Sequence, residues 1–196
     1  MISAIVLAAG KSSRMGSPKA LLDWEGEPLV CYQVHQLREA GCDEVIVVLG
    51  HKADDIARSM RALNCRIMLN PRFQHGRAGS LRIGAKAANR DAEAILVTDV
   101  DQPRPAAFIR ALLNARRPGD LVTRPVHDGR HGHPVVVDGS LREEMMAATD
   151  EAEGLQEILR AHADRTGEVD AGDLLDLTFN TPEEYQAARR RAGLGA

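Results

Sequence analysis

Ile2-Ser-Ala-Ile-Val-Leu-Ala-Ala-Gly-Lys-Ser-Ser-Arg-Met-Gly-Ser-Pro-Lys19 consists of a short apolar run followed directly by a loop rich in glycine and lysine. Further short runs rich in Val, Ile and Leu return along the chain, separated by stretches of helical period. This alternation is typical of βα units that feed a mostly parallel sheet, so we predict an α/β fold with helices flanking the sheet. The predicted strands cover residues 2–7, 44–49, 66–69, 94–98, 120–124 and 134–137, with a last strand-like run at 174–179.

Apolar residues at positions i, i+4 and i+7 predict one amphipathic helix in each of the first two intervals between strands. These helices should stop at Gly41 and Asn64, because both residues accept a left-handed C-terminal conformation. Thr181, followed by Pro182 and two acids, has the features of a helix start. The apolar positions are Val30, Val34 and Leu37 in the first helix and Ile56, Met60 and Leu63 in the second, and further helical patterns cover residues 141–147 and 154–162.

Length and composition indicate one globular domain. We assign residues 1–190 to that domain and residues 191–196 to a frayed tail, since 196 residues are few for two independent cores. The net charge of -3 argues against a nonspecific nucleic-acid binder. Three cysteines without Cys-x-x-Cys spacing suit core positions in a reducing compartment, and the apolar start is too short to cross a bilayer. We therefore expect a cytoplasmic protein with neither nucleic acid nor membrane as a partner.

The loop after the first apolar run is suited to a chain of phosphates. Gly10 and Gly16 permit tight turns that expose backbone N–H groups, and three cations stand at intervals along the same loop. The pattern is not the Walker loop, and the dinucleotide pattern Gly-x-Gly-x-x-Gly is missing, which argues against an NAD-dependent dehydrogenase. The segment predicts a triphosphate site whose cations are Lys11, Arg14 and Lys19.

Two aspartates follow the buried run 94–98. Ligands of open α/β sheets bind at the carboxyl ends of the strands, where these aspartates should lie. A carboxylate at that edge is a hard oxygen ligand for Mg²⁺ or Mn²⁺ bridging a triphosphate. Asp99 and Asp101 would face the same way if the strand continues, although Asp99 could equally be a hydrogen-bonded carboxylate at the strand end.

Leu7-Ala-Ala-Gly-Lys-Ser-Ser-Arg-Met-Gly-Ser-Pro-Lys-Ala-Leu-Leu22 resembles the signature of the sugar-nucleotidyltransferase-like superfamily and, within it, of the molybdenum cofactor cytidylyltransferase group. The resemblance implies a single-domain, Rossmann-like fold of the nucleotide-diphospho-sugar transferase type and the transfer of a nucleotidyl group. Further segments resemble the group in the same order: Asn70-Pro71, Gly76, Gly79-Ser-Leu-Arg-Ile-Gly84, Asp99-Val-Asp-Gln-Pro103, Gly132-His-Pro134 and Asn180-Thr-Pro-Glu-Glu184.

The resemblance also implies roles for single residues. Arg14, Lys19 and Asp101 are expected to be catalytic, and Asp101 ranks above Asp99 because the family pattern Asp-Gln-Pro falls on it. Asp101 and Asn180 are the expected ligands of Mg²⁺ or Mn²⁺, whereas the alternative for Asn180 is that it merely leads into a helix cap. The expected nucleotide-binding residues are Leu7, Ala8, Ala9, Gly10, Lys19, Asn70, Gly79 and Ser80.

Several residues keep two interpretations. Ser80 could also cap the helix that follows it, and Arg82 could contact phosphate or remain on the helix surface. His133, in Gly-His-Pro, is expected to shape the acceptor pocket, against a purely structural Gly-Pro turn. His127 and His131 lie in the same loop and are a weak metal signal, since no cysteine accompanies them.

The implied reaction is an in-line attack by a phosphate-type oxygen of an acceptor on the α-phosphorus of a nucleoside triphosphate, with release of pyrophosphate. CTP is the expected donor, because Leu7-Ala-Ala-Gly10 resembles the cytidylyltransferase form and the Ala9 methyl would narrow the space beside the base. Molybdopterin is the expected acceptor and a molybdenum hydroxylase the expected partner. One departure concerns the acceptor side: segment 149–156 is two residues longer than the group's Gly-Asp-x-Gly-x-Arg, and Gln156 replaces the Arg.

Other readings stay open. A sugar phosphate, a polyol phosphate or a phosphoenolpyruvate-like acid could replace molybdopterin as the acceptor. Guanylyl transfer could replace cytidylyl transfer. A non-catalytic nucleotide-binding protein that delivers a cofactor is the alternative from another class, and the presence of both Asp101 and Asn180 argues against it.

Overall fold

The computed structural model describes residues 1–151 and 153–195. Two expectations extend beyond these residues. Ala152 belongs to the segment 149–156 that departs from the family pattern, and Ala196 ends the expected frayed tail, so both lie outside the described residues. Leu194, in the described part of that tail, packs against the hydrophobic core.

Strands and helices alternate along most of the described chain, as the apolar runs predict. The strands are β1 Ile2–Ala8, β2 Asp23–Trp24, β3 Glu27–Pro28, β4 Glu44–Leu49, β5 Arg66–Leu69, β6 Ala94–Asp99, β7 Val122–His127, β8 Arg130–His131, β9 Val135–Asp138 and β10 Thr166–Asp170. The helices are α1 Leu29–Ala40, α2 Ala53–Ser59, α3 Ala78–Ala87, α4 Ala106–Asn114, α5 Arg142–Ala147, α6 Leu155–Ala161 and α7 Pro182–Arg191.

The main sheet has the strand order β10-β7-β9-β6-β1-β4-β5, and β8 pairs with β7 at its side. β1 lies in the centre and pairs in parallel with both β4 and β6, while β9 runs antiparallel to β6 and β7. β2 and β3 form a separate two-stranded hairpin. The predicted α/β fold with a mostly parallel sheet is therefore confirmed, and β1 and β6 end side by side at one edge.

Helices cover both faces of the sheet, so the central strands are buried on both sides, as parallel strands require. In β1, Ala4, Val6 and Ala8 belong to one core cluster with α1 and α4, whereas Ile5 faces the other cluster with α3 and α5. Cys31 and Cys42 are buried and Cys65 is partly buried, which confirms the prediction of core cysteines. No helix in the described residues is long and apolar enough to cross a membrane.

The predicted helix ends are partly right. Gly41 ends α1 in the left-handed conformation with φ 105°, as expected. The prediction that the second helix stops at Asn64 is wrong, because α2 already ends at Ser59. Met60 still packs into the core from the turn beyond α2, so an apolar position of helical spacing did not require a continuing helix.

The predicted last strand at 174–179 is also wrong. The segment begins in the 3-10 turn Gly172–Asp176, from which Leu175 reaches the core, and Phe179 reaches the core from the irregular backbone that follows. The strand that completes the sheet is β10, which pairs in parallel with β7. Its residues include only one apolar side chain of any size, Val169, so this edge strand carries almost no alternating pattern.

Candidate nucleotide and acceptor site

A cleft of about 360 Å³ opens at the edge of the sheet where β1 and β6 end. We call it the first cavity. Ligands of open α/β sheets bind at this edge because the loops after neighbouring parallel strands diverge there. The expected nucleotide-binding residues Leu7, Ala8, Ala9, Gly10, Lys19 and Ser80 line it, together with Gln74, Arg77, Asp99, Asp101 and Asn180 from across the cleft.

Lys19 joins three distant parts of the chain at the floor of the first cavity. Its Nζ donates hydrogen bonds to Asp101 Oδ2 at 2.5 Å and to Asn180 Oδ1 at 2.9 Å. The side chains of Lys19 and Asp101 are only 12% and 18% exposed. The backbone N–H of Lys19 also donates to Ser12 Oγ at 3.1 Å, which fixes the end of the loop. The structure thus gathers the predicted catalytic residues Lys19 and Asp101 and the predicted metal ligands Asp101 and Asn180 at one point.

Two buried side chains that sequence reasoning missed hold the segment containing Asp101. Gln33, inside α1, donates from Nε2 to the carbonyl oxygens of Asp99, Val100 and Gln102 at 3.1 to 3.3 Å. Arg104 donates to the carbonyl oxygens of Pro103, Leu177 and His133. Burial lowers the pKa of Arg104 to about 10. The available signal for Gln33 was its position on the apolar face of α1, three residues after Val30 and four before Leu37.

Asn180 takes part in both of the arrangements considered for it. Its side chain accepts from Lys19 Nζ, while its backbone N–H donates to Glu184 Oε2 at 2.6 Å. Thr181 caps α7 by accepting from the backbone N–H of Glu184, and Pro182 is the first residue of the helix. The predicted cap is confirmed. It anchors the backbone from which the Asn180 side chain reaches the cavity.

Asp99, at the end of β6, links two sides of the site. Its Oδ1 accepts from the guanidinium of Arg77, and its Oδ2 lies 3.5 Å from His133 Nε2. Burial acts to raise the pKa of Asp99, but the nearby charges of His133 and Arg77 hold it below its usual value. The charge of Asp99 in turn raises the pKa of Arg77. Sequence reasoning missed Arg77, although it lies between Gly76 and Gly79, which both belong to the segments that resemble the family.

A second cavity of about 370 Å³ lies beside the first. His133 and Gln156 both line it. The acceptor role of His133 stays a prediction. The backbone of His133 is fixed because its N–H donates to Gln102 Oε1 and its carbonyl accepts from Arg104 Nε. The cavities meet at a shared wall made of Leu7, Gly76 and Arg77.

Arg14 stands apart from these groups. Its side chain is exposed on the loop, and neither it nor Lys11 is among the residues that line the first or second cavity. The catalytic role of Arg14 therefore stays a prediction. The geometry assigns the cationic floor of the first cavity to Lys19.

Two of the expected nucleotide-binding residues line neither of these cavities. Asn70 and Gly79 face a third cavity of about 410 Å³. Asn70 is buried and donates to Ser80 Oγ at 2.9 Å, so it holds Ser80 against the first cavity. Ser80 is the third residue of α3 and lies inside the helix, so the prediction that Ser80 caps this helix is wrong. Arg82 donates to the Ala148 carbonyl at 2.5 Å.

The histidine-rich loop forms structural pairs with β10. His127 Nδ1 lies 3.0 Å from an Asp170 carboxylate oxygen, and His131 Nε2 lies 2.8 Å from Glu168 Oε1. Within residues 1–151 and 153–195, no three His, Cys, Asp or Glu side chains gather as a group that could hold a metal ion. These contacts fasten the loop to the edge strand.

The floor of the first cavity fits a divalent cation that is shared with a triphosphate. Asp101 Oδ2 and Asn180 Oδ1 converge on one positive charge, the ammonium group of Lys19, so two hard oxygens already face a common cation position. Mg²⁺ is usually held by one or two protein oxygens, with the remaining ligands from phosphates and water. The donor set suits a cation completed by substrate and does not form a full protein cage.

Known proteins resemble this chain over most of its length. It is 32% identical to nicotine blue oxidoreductase of Paenarthrobacter nicotinovorans over 167 residues, 81% of either chain. It is 26% identical to molybdenum cofactor cytidylyltransferase of Escherichia coli (strain K12) over 192 residues, 97% of this chain and 96% of the relative.

Solved structures agree in fold. A nucleotidyl transferase from Methanothermobacter thermautotroptrophicus superposes with a TM-score of 0.84 at 26% identity and covers 97% of both chains. The manganese complex of Rv0371C from Mycobacterium tuberculosis H37Rv gives 0.79 at 21% identity, covering 95% of this chain and 97% of that one.

The family model described as the MobA-like NTP transferase domain matches residues 4–166. The matched region contains the loop after β1, Lys19, Asp101 and His133, whereas Asn180 lies beyond it. Of the three side chains that meet at the floor of the first cavity, Lys19 and Asp101 therefore lie within the matched region and Asn180 lies outside it. This protein belongs to the MobA-like NTP transferase family, as one of its nucleotidyltransferases.

Proposed function

We propose that this chain, as one domain over residues 1–190, transfers CMP from CTP to a phosphate-bearing acceptor of the molybdopterin type and releases pyrophosphate. The observation that carries the proposal is the convergence of Lys19 Nζ on Asp101 Oδ2 and Asn180 Oδ1 at the floor of the first cavity. Such a cluster suits a reaction in which charge on phosphate oxygens must be held and neutralised.

In the proposed reaction an acceptor phosphate oxygen forms a bond to the α-phosphorus of CTP. The bond from that phosphorus to the oxygen bridging the β-phosphate breaks, and pyrophosphate leaves with the electron pair. No residue has to act as a strong base, because the attacking oxygen is already an anion. Lys19 stabilises the triphosphate charge, and the loop N–H groups of residues 8–10 orient the phosphates beside it.

Asp101 and Asn180 would hold a divalent cation, Mg²⁺ or Mn²⁺, in this complex. The cation supplies neutralisation of the developing charge on the phosphates. Support comes from the two converging oxygens. Nucleotide binding gives Lys19 an alternative partner in the phosphates, which frees the two oxygens for the cation.

The choice of CTP rests on Ala9 and on the similarity to the Escherichia coli cytidylyltransferase. Ala9 is nearly buried and lines the first cavity, so its methyl group narrows the space beside the base. Calorimetric titration of CTP, GTP, ATP and UTP with Mg²⁺ tests the choice. We expect CTP to bind most tightly. The substitution Ala9→Gly should reduce the difference in affinity between CTP and GTP. Tightest binding of GTP by the wild-type protein would overturn the assignment of the donor.

The acceptor is assigned to the second cavity, where His133 and Gln156 lie. A molybdenum hydroxylase is then the enzyme class that receives the product. The cytoplasm is the proposed compartment, supported by the three cysteines, which are all free thiols.

Hydride transfer is the second candidate function, because one relative is named as an oxidoreductase. That likeness means that the missing Gly-x-Gly-x-x-Gly pattern does not by itself separate the two reaction types within this family. The paired oxygens around Lys19 favour nucleotidyl transfer, since hydride transfer does not require a site for a metal-bound triphosphate.

Pyrophosphate release is the direct test of the proposed function. The wild-type protein is incubated with CTP, Mg²⁺ and a panel of acceptors that contains molybdopterin, sugar phosphates and a polyol phosphate. We expect release that depends on the acceptor and is fastest with molybdopterin. A parallel assay follows NADH and NADPH absorbance with aromatic acceptors. Oxidation of a nicotinamide without pyrophosphate release would replace the proposal with the redox alternative, and CTP binding without release would support a delivery protein.

A further inference from the structure

Arg77 occupies the wall between the two cavities. It is the residue just before α3, and its carbonyl accepts from the backbone N–H groups of Ser80 and Leu81, so its backbone is fixed by the first turn of that helix. It lines the first cavity and also the second. Its position therefore lets one side chain face the nucleotide and the acceptor together.

The guanidinium of Arg77 is hydrogen-bonded to Asp99 on one side, and the rest of its side chain is exposed. Its Nη2 donates to Asp99 Oδ1, and Asp99 is only 11% exposed. The Arg77 side chain is nevertheless 72% exposed, and none of the other hydrogen bonds within the described residues uses its guanidinium. A guanidinium carries five N–H donors, so most of them remain available to a ligand. Asp99 orients the group without saturating it.

Few of the described residues that line the second cavity carry a charge. Arg77 is the only lysine or arginine among its described lining residues, which include two acids. Asp150 already accepts from the backbone N–H of Ala78, and Glu153 pairs with Arg160. Gln156 lines the cavity without contributing a charge. An anionic acceptor entering this cavity therefore meets one arginine, which lies directly before α3.

We propose that Arg77 binds the attacking phosphate of the acceptor at the boundary of the two cavities, with Asp99 as its positioning residue, and so selects acceptors that carry a phosphate. This inference rests on the proposed function, because it names the acceptor contact of that same site. A guanidinium suits this contact because its planar fork can donate two parallel hydrogen bonds to a phosphate.

Direct binding of a small phosphate monoester tests this role separately from turnover. Phenyl phosphate is titrated calorimetrically into the wild-type protein, first alone and then with saturating α,β-methylene-CTP and Mg²⁺, and benzyl alcohol serves as the uncharged comparison. We expect binding of phenyl phosphate and none of benzyl alcohol. Arg77→Gln should weaken phenyl phosphate binding about 10- to 100-fold, as expected for a lost hydrogen bond to a charged group.

Variants separate the charge of Arg77 from its geometry. Arg77→Lys keeps a cation beside Asp99 and should fold even if Arg77→Gln does not, but it loses the planar fork and should bind phenyl phosphate with an intermediate affinity. Arg72→Gln removes an exposed arginine that faces neither of the two cavities and should bind as the wild type does. Arg77→Gln should lose more affinity for phenyl phosphate than for α,β-methylene-CTP, because Lys19 also holds the nucleotide in the proposed complex.

Equal affinity for phenyl phosphate in wild type, Arg77→Lys and Arg77→Gln would overturn the inference, and so would failure of the wild type to bind it in either state. A different result contradicts the proposed function, namely the absence of CTP binding or of pyrophosphate release. Binding of phenyl phosphate without nucleotide still reports on Arg77 in that case.

Discussion

Replacing Lys19 by methionine removes the charge that joins three segments of the site and keeps most of the side-chain volume. Lys19 Nζ contacts two oxygens at 2.5 and 2.9 Å, in a position where the side chain is only 12% exposed. Loss of one preorganised donor in a partly buried catalytic site lowers kcat by about 100- to 1000-fold, or about 2.7 to 4 kcal/mol. Because Lys19 serves two partners, we expect the loss for Lys19→Met at the upper end of that range.

The assay follows pyrophosphate release from CTP at saturating Mg²⁺ and acceptor, with circular dichroism and thermal unfolding to verify the fold. Lys86→Met is the matched control. Lys86 is exposed on α3, so this substitution makes the same change of charge and shape away from the cavities. We expect the control to keep the wild-type rate. A folded Lys19→Met protein with a kcat within about threefold of the wild type would refute the role assigned to Lys19.

Three further predictions concern packing and ionisation. Gly84→Ala places a Cβ 2.5 Å from Ile5 Cγ2 on the central strand, so urea unfolding should show a loss of about 1 to 3 kcal/mol, whereas Gly195→Ala, in open space, should show none. Burial raises the pKa of Cys42 to about 12, so a thiol reagent at pH 8 should label it only after unfolding; immediate labelling of all three thiols in the native protein would contradict this. The hydrogen bond with Asp170 raises the pKa of His127. The stabilisation that this pair gives the folded protein is therefore fully present below the unfolded pKa of about 6.5 and is lost as the pH rises through the folded pKa. His127→Asn should therefore lower the melting temperature more at pH 6 than at pH 8.5, and an equal shift at both pH values would count against the pairing.

Local features of the sequence predicted the central part of the fold well. β1 and the loop after it are contiguous, and their burial and turn chemistry are both visible in eighteen residues of sequence. Gly41 and Thr181 were recognised because helix ends depend on the residue at the end itself. The edge strand β10 was missed because an exposed strand has little need of alternating apolar residues.

The site was predictable to the extent that motifs follow strand ends. Lys19, Asp101 and Asn180 were expected near the same phosphates, and the structure brings them together. Arg77 and Gln33 were missed because their roles depend on tertiary contacts: one meets Asp99 across the cleft, and the other reaches three carbonyl oxygens from inside α1. A polar residue gives no indication in the sequence of its distant partners, because those contacts exist only once the helices are placed against the sheet.

The rate of pyrophosphate release by Asp101→Asn tests the central claim most directly. This change keeps the shape of the side chain but removes the carboxylate that faces Lys19 and the proposed cation. With CTP, Mg²⁺ and acceptor saturating, we predict that Asp101→Asn falls at least 100-fold below the wild type while Asp91→Asn, at an exposed turn, does not change. A folded Asp101→Asn protein that releases pyrophosphate at the wild-type rate would contradict the account.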